Sequence, residues 1–173
     1  RDRGALVPSA GKRTLLIQYM PETELRAGRA FAASLRSGNP SLRVVKLSPS
    51  TAASQLDALA PAIAGAERVV LAAYVRRIEG EGRPAIPSHI AEWMAGVARA
   101  DSAAAGQRLV FVAFGNPYLL RQLPAVGSYL VTYGVGDALE RAAADAIGGR
   151  ARITGTTPVS LPGFFSRGDG IQR

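Results

Sequence analysis

The chain of 173 residues contains no cysteine. Disulfides and thiolate metal sites are therefore excluded, and the redox compartment stays open. Histidine and tryptophan occur once each, and Lys12 and Lys46 are the only lysines. The lone histidine, His89, follows Pro87-Ser88 at an expected helix start, where an ordinary surface role outweighs catalysis or ligation. No group of residues offers the several ligands of a metal site. Neither G-x-G-x-x-G nor G-x-x-x-x-G-K-[ST] follows a strand-like run. Tyr133-Gly134-Val135-Gly136 has two of the glycines, but the helix after it opens on Asp137, an acid where a phosphate would sit. No G-x-S-x-G elbow supplies a hydrolase nucleophile. The longest apolar runs are strand-sized, so nothing approaches a membrane span. No cofactor is expected.

What is present is a large apolar fraction, 47%, helped by many alanines. That suits amphipathic helices over a buried sheet, in a length that fits one domain, 1–173, and would crowd two. The formal charge is +8. The arginines are scattered singly, with Arg76-Arg77 the one adjacent arginine pair, and none is interleaved with aromatics on a helix. This patterning argues against a nucleic-acid stripe and fits the codon bias of a GC-rich bacterial genome. The first residue is Arg1, with no signal-like stretch, so the expectation is a piece of a longer chain with any export signal outside it.

Residues 1–13 read as a lead-in with a Leu6-Val7-Pro8 anchor, and 14–18 (TLLIQ) as the first strand. A helix is predicted over 24–36, with Leu25, Phe31 and Leu35 on one face and Gly38-Pro40 beyond its end. A strand at 42–47 is followed by a helix over 52–64, capped from Ser48–Thr51 and weakened in its last turn by Pro61. The run 68–74 is a buried strand, and 75–87 is the longest loop. Ser88 is expected to cap a helix to about 104. Residues 109–114 read as a strand covered on both faces, broken by Gly115-Asn116-Pro117 and followed by a short helix at 118–120. A fifth strand at 128–132 precedes a helix over 138–147, for which Asp137 and Glu140 resemble a capping box. Pro158–Pro162 is expected as an extended edge segment, and 163–173 as a loose tail. The alternation predicts an α/β three-layer sandwich, a mostly parallel sheet of five to six strands with helices on both faces.

In such sheets ligands and partners meet the carboxyl ends of the strands. Tyr19, Arg76, Arg77, Gly115, Asn116, Tyr118 and Tyr133 fall there, and are the expected substrate or interdomain rim. Glu79 and Glu81, on the long loop, are candidate general acids if carried into a cleft, against the simpler reading of a solvated charged loop.

The order of RDRGALVP, TLLIQY, AAYVRRIEGEGRPAIP, FVAFGNPYLL and TGTTPVSLPGFFSRGDG resembles the carboxyl-terminal α/β sandwich domain of glycoside hydrolase family 3. Within that family it looks most like the β-N-acetylhexosaminidase (β-N-acetylglucosaminidase) branch. FGNPYLL at 114–120, PVSLPG at 158–163 and RGDG at 167–170 carry the likeness, which runs from Arg1 to about Gly170. The resemblance implies a six-stranded sandwich packed on a (β/α)8 barrel and a retaining mechanism whose aspartate nucleophile lies in the barrel. It implies an acid/base on a histidine-containing barrel loop in this branch. In the β-glucosidase branch a glutamate of the sandwich serves, a position Glu79 or Glu81 would match. The partner implied is that barrel, with carbohydrate reached through it. The chain by itself would be non-catalytic. A stand-alone α/β binding or scaffold domain is the alternative, and a basic nucleic-acid binder a third.

Overall fold

The computed structural model describes residues 2, 5–6, 12–76, 85–104 and 108–172. Five strands form one sheet: β1 (Thr14–Tyr19), β2 (Arg43–Leu47), β3 (Arg68–Val75), β4 (Leu109–Gly115) and β5 (Ser128–Val131). Their order is β2-β1-β3-β4-β5, and every pairing is parallel. The three inner strands are the apolar runs, as they must be when both faces are covered. Leu15, Ile17, Val69, Leu71, Leu109 and Phe111 face one core; Leu16, Val70, Tyr74, Val110, Val112 and Phe114 face the other. Strand period two thus sends alternate residues into two separate cores.

The helices are α1 (Arg29–Ser37), α2 (Ala53–Asp57), α3 (Ala60–Gly65), α4 (Ser88–Ala103) and α5 (Asp137–Ile147), with a 3-10 helix at Pro117–Arg121. α1 packs on α5 over one face, and α2 meets α4 over the other. The α/β sandwich expected from the pattern is therefore the observed architecture, with five strands among the described residues.

Several local expectations are corrected. The first helix begins at Arg29, because Gly28 at φ 79 breaks the helical path. Leu25 consequently lies outside the helix and is 77% exposed, away from the core that holds Phe31 and Leu35. The 52–64 helix is two helices, and Pro61 sits in the first turn of the second, where its missing N–H costs nothing. Ser88 makes no cap bond; Pro87 holds that position. Pro158–Pro162 joins no sheet edge. Two prolines remove ladder donors there, and Leu161 instead bridges Phe165 in a local antiparallel turn. The following residues are not loose: Thr157 N–H donates to Asp169 O (2.7 Å) and Gly168 N–H to Thr157 O (2.8 Å).

Most consequential is Glu140. Its carboxylate leaves its own helix terminus, accepting from Gly28 N–H and Phe31 N–H, both at 2.9 Å. It is 1% exposed and caps α1 from α5. Beside it, the buried Gln18 amide donates to Gly28 O (3.0 Å) and to the Tyr74 hydroxyl (3.1 Å). Tyr74 lies parallel to Phe114 at 4.5 Å, and Phe114 meets Phe31 edge-on at 5.2 Å.

These buried phenols make the fold sensitive to alkali. Burial raises the Tyr74 and Tyr129 hydroxyls above the ordinary value of 10.0, with Glu140 adding to the effect at Tyr74. Burial and then Glu22 push Tyr19 to about 12. The folded state holds these protons more tightly than the unfolded chain does. The stabilisation is complete below pH 10 and is lost as pH climbs towards 12. Denaturant unfolding across that window should show falling midpoints, with a shallower fall in Tyr74→Phe. A midpoint constant through the window would contradict it.

Candidate functional site: the carboxyl edge of the sheet

Because all five strands are parallel, their carboxyl ends share one edge, and the described residues that follow them start from it. β1 and β3 lie side by side while their chains leave towards opposite sheet edges, so the crevice between their carboxyl ends is the topological switch point. An ion pair closes it: Arg76 Nε, just past β3, stands 2.5 Å from Glu24 Oε1 in the loop after β1. The Glu24 side chain is only 13% exposed, and that of Arg76 is 60% exposed. Glu24 was not a candidate by sequence, since it was expected to open a helix; only the later helix start frees it to reach across the crevice. Tyr19 reaches the same edge, but its ring is buried in the core. Glu22 is fully exposed; a backbone hydrogen bond, then bonds from Ser50 and Ser48, hold its carboxyl below the usual range.

Between β3 and β4 the edge is tight. Gly115 has φ 99, and a Cβ there would sit 2.6 Å from Val75 O. Asn116 Oδ1 accepts from Tyr118 N–H (2.9 Å), capping the 3-10 helix and turning Tyr118 outward, 43% exposed. Beyond β5, Thr132 Oγ1 donates to Gly134 O (2.8 Å), and Tyr133 adopts φ 54. Tyr133 is the one non-glycine residue with positive φ among the described residues. A bulky ring at that angle carries on the order of 1 kcal/mol of strain. Tyr133→Asn should therefore raise the unfolding free energy by up to about 1 kcal/mol, asparagine tolerating left-handed geometry. A clear fall in thermal midpoint would show that the ring's contacts outweigh the strain.

Arg76, Gly115, Asn116, Tyr118 and Tyr133 thus share one exposed edge, with Tyr19 beneath it. Arg77, Glu79 and Glu81 lie outside the described residues. His89 is elsewhere in use, its Nε2 3.1 Å from Thr51 O. Among the described residues no three His, Cys, Asp or Glu side chains cluster to hold a metal, and no helix is long and apolar enough to cross a membrane. The chemistry this edge presents is that of contact: phenols, an amide and one bridged ion pair.

The class of structure is a doubly wound α/β sandwich with phenols, an amide and an ion pair at its strand ends. No protein-family model matches the chain, and no curated protein matches it in sequence. Solved structures do match its fold. One is a glycoside hydrolase family 3 β-N-acetylglucosaminidase from Paenibacillus sp. str. FPU-7, at TM-score 0.67 and 15% identity; the likeness covers 87% of this chain and 27% of that one. Another is a fungal multi-domain family 3 β-N-acetylglucosaminidase that carries a GCN5-related glucosamine N-acetyltransferase region. It matches at TM-score 0.61 and 22% identity, over 86% of this chain and 16% of that one. The β-glucoside phosphorylase BglX bound to 2FGlc matches at TM-score 0.54 and 14% identity, over 87% and 26% of the two chains. The chain therefore spans about a quarter or less of the length of these proteins and has a fold that part of each of them carries.

Proposed function

We propose that this chain is the α/β sandwich domain of a retaining family 3 glycosidase of the β-N-acetylglucosaminidase kind. It packs on a catalytic (β/α)8 barrel and shapes the mouth of its cleft, supplying no nucleophile of its own. The observation that carries this reading is the likeness of 87% of the chain to 27% of the Paenibacillus enzyme. In the retaining reaction a barrel carboxylate attacks the anomeric carbon as an acid protonates the leaving oxygen. Water then releases the sugar from the covalent intermediate, giving its proton to the same acid/base group. Glu79 and Glu81 are the residues of this chain to test as that acid/base; otherwise the barrel supplies it. The rim from Arg76 to Tyr133 is the surface that faces the barrel.

The purified chain is expected not to hydrolyse an aryl β-N-acetylglucosaminide, and turnover by it would refute the non-catalytic assignment. Sequencing the coding region upstream of Arg1 should reveal a barrel domain of about 250 residues. An unrelated domain there, or none, would favour a stand-alone α/β binding or scaffold module.

A further inference from the structure

We propose that Tyr118 and Tyr133 form a sugar-stacking platform at the carboxyl edge, taking the apolar face of an N-acetylglucosamine unit in a β-linked oligosaccharide. The identity of the sugar rests on the function proposed above; the platform itself rests on geometry. The chain has five tyrosines, five phenylalanines and one tryptophan, and of these only Tyr118 and Tyr133 are exposed, at 43% and 36%. Both stand at one edge, on the connections that follow two adjacent strands, β4 and β5. The first connection is fixed against the second strand, since the Tyr129 hydroxyl within β5 donates to Pro117 O at 2.9 Å. Partial burial, and then the Tyr118 hydroxyl, raise the Tyr133 hydroxyl above its ordinary value. The Arg121 guanidinium lies 5.9 Å from the centre of the Tyr118 ring and helps to orient it.

Exposed aromatic surface and a strained backbone at the same residue are two costs that fold stability does not require. Their coincidence at a strand-end rim is the pattern of a contact surface retained for use. A pyranose suits it chemically. Its C–H face covers an aromatic ring, while its hydroxyl perimeter bonds to phenols and backbone carbonyls; a tyrosine offers both an apolar body and a polar tip. Space for further sugar units adjoins the ring. Tyr133 also lines a groove of about 740 Å³ along the outer side of β5, walled by Ala142 and Ala146 of α5 and by Thr154 and Thr156. That volume lies within the range of ligand-binding clefts.

The test is a titration of the chain with N,N′-diacetylchitobiose, followed by tyrosine fluorescence and by amide chemical shifts, with cellobiose as the comparison sugar. Saturable binding at millimolar sugar is expected, with shifts centred on residues 116–121 and 131–136 and a weaker response to cellobiose. Tyr133→Asn should weaken it at least about tenfold without loss of folding, since the same change is expected to relieve backbone strain; Tyr133→Phe should retain most of it. No saturable response up to about 50 mM overturns the platform, as does binding unaltered in both Tyr118→Ala and Tyr133→Asn. The two readings fail separately. A barrel encoded upstream with no sugar response removes the platform and leaves the proposed function standing. A sugar response with no barrel upstream does the reverse and makes the chain a sugar-binding module.

Discussion

Glu140→Ala is expected to destabilise the fold by about 3 kcal/mol or more, enough to lower the thermal midpoint by roughly 6–12 °C. The side chain is on α5, yet its two oxygens satisfy Gly28 N–H and Phe31 N–H at the start of α1. Those amides belong to the first-turn donors that a helix cannot satisfy internally. Gly28 is the residue preceding α1 and offers no side chain for the task, so the cap must come from elsewhere. Alanine would leave both amides buried and unpaired beside Phe31, each losing a charge-assisted bond of about 1.5–3 kcal/mol. The N-terminus of α1 is also the positive end of its dipole, which favours a carboxylate there by a further ~0.3–1 kcal/mol. Glu140→Gln keeps the shape but retains only one acceptor and brings an NH2 group against an N–H donor. Its loss should be nearly as large, which would separate hydrogen bonding from packing. Urea unfolding of the three proteins, with unchanged denaturant slopes, gives the comparison. A loss below about 1 kcal/mol in Glu140→Ala would mean that water reaches and satisfies the amides.

Gly115→Ala should cost on the order of 3 kcal/mol, despite adding a single methyl group. At φ 99 any L-residue is strained, by about 1–2 kcal/mol. The added Cβ would also lie 2.6 Å from Val75 O. That oxygen cannot move aside as a side-chain end would, because Val75 is paired with Gly115 at the end of the β3–β4 ladder. Relief therefore requires the two strand ends to part, at the rim where Arg76 and Asn116 follow. Gly65 is the control: a Cβ there meets nothing within 4 Å and its φ is ordinary, so Gly65→Ala should lie within about 0.5 kcal/mol of the parent. Equal stability of the two variants would show that the ladder end yields freely. If instead Gly115→Ala folds but is weakened, amide shifts should concentrate on 75–76 and 115–118, and a rim altered in this way should dock less well on any partner.

The sheet was legible because its signals are local. Runs such as LVFVAF at 109–114 bury both faces of a strand, glycine ends α1, α3 and α5, and alternation of the two element types leaves few topologies other than a parallel sheet. The rim followed from the same order, since parallel strands align their carboxyl ends and place residues 115–118 and 133 together. Errors arose where local chemistry had two outlets. Glu140, three residues after Asp137, matched a capping box, but the unsatisfied amides of α1 offered a buried, charge-assisted alternative. Leu25 fitted a helical stripe until Gly28 ended the helix before reaching it. Pro158–Pro162 is a run of bends, an isolated bridge and a turn where an extended edge segment is expected, because the missing proline donors keep it out of the sheet.

The strand and helix sequence, the two-sided core and the edge that gathers the carboxyl ends of the strands all follow from residue periodicity, which is written along the chain. Partnerships across it are not. The Glu24–Arg76 bridge spans 52 positions and the Gly28–Glu140 bond 112. Neither residue type nor spacing specifies such pairs; they form because packing two faces of one sheet brings donor and acceptor into a space water has left.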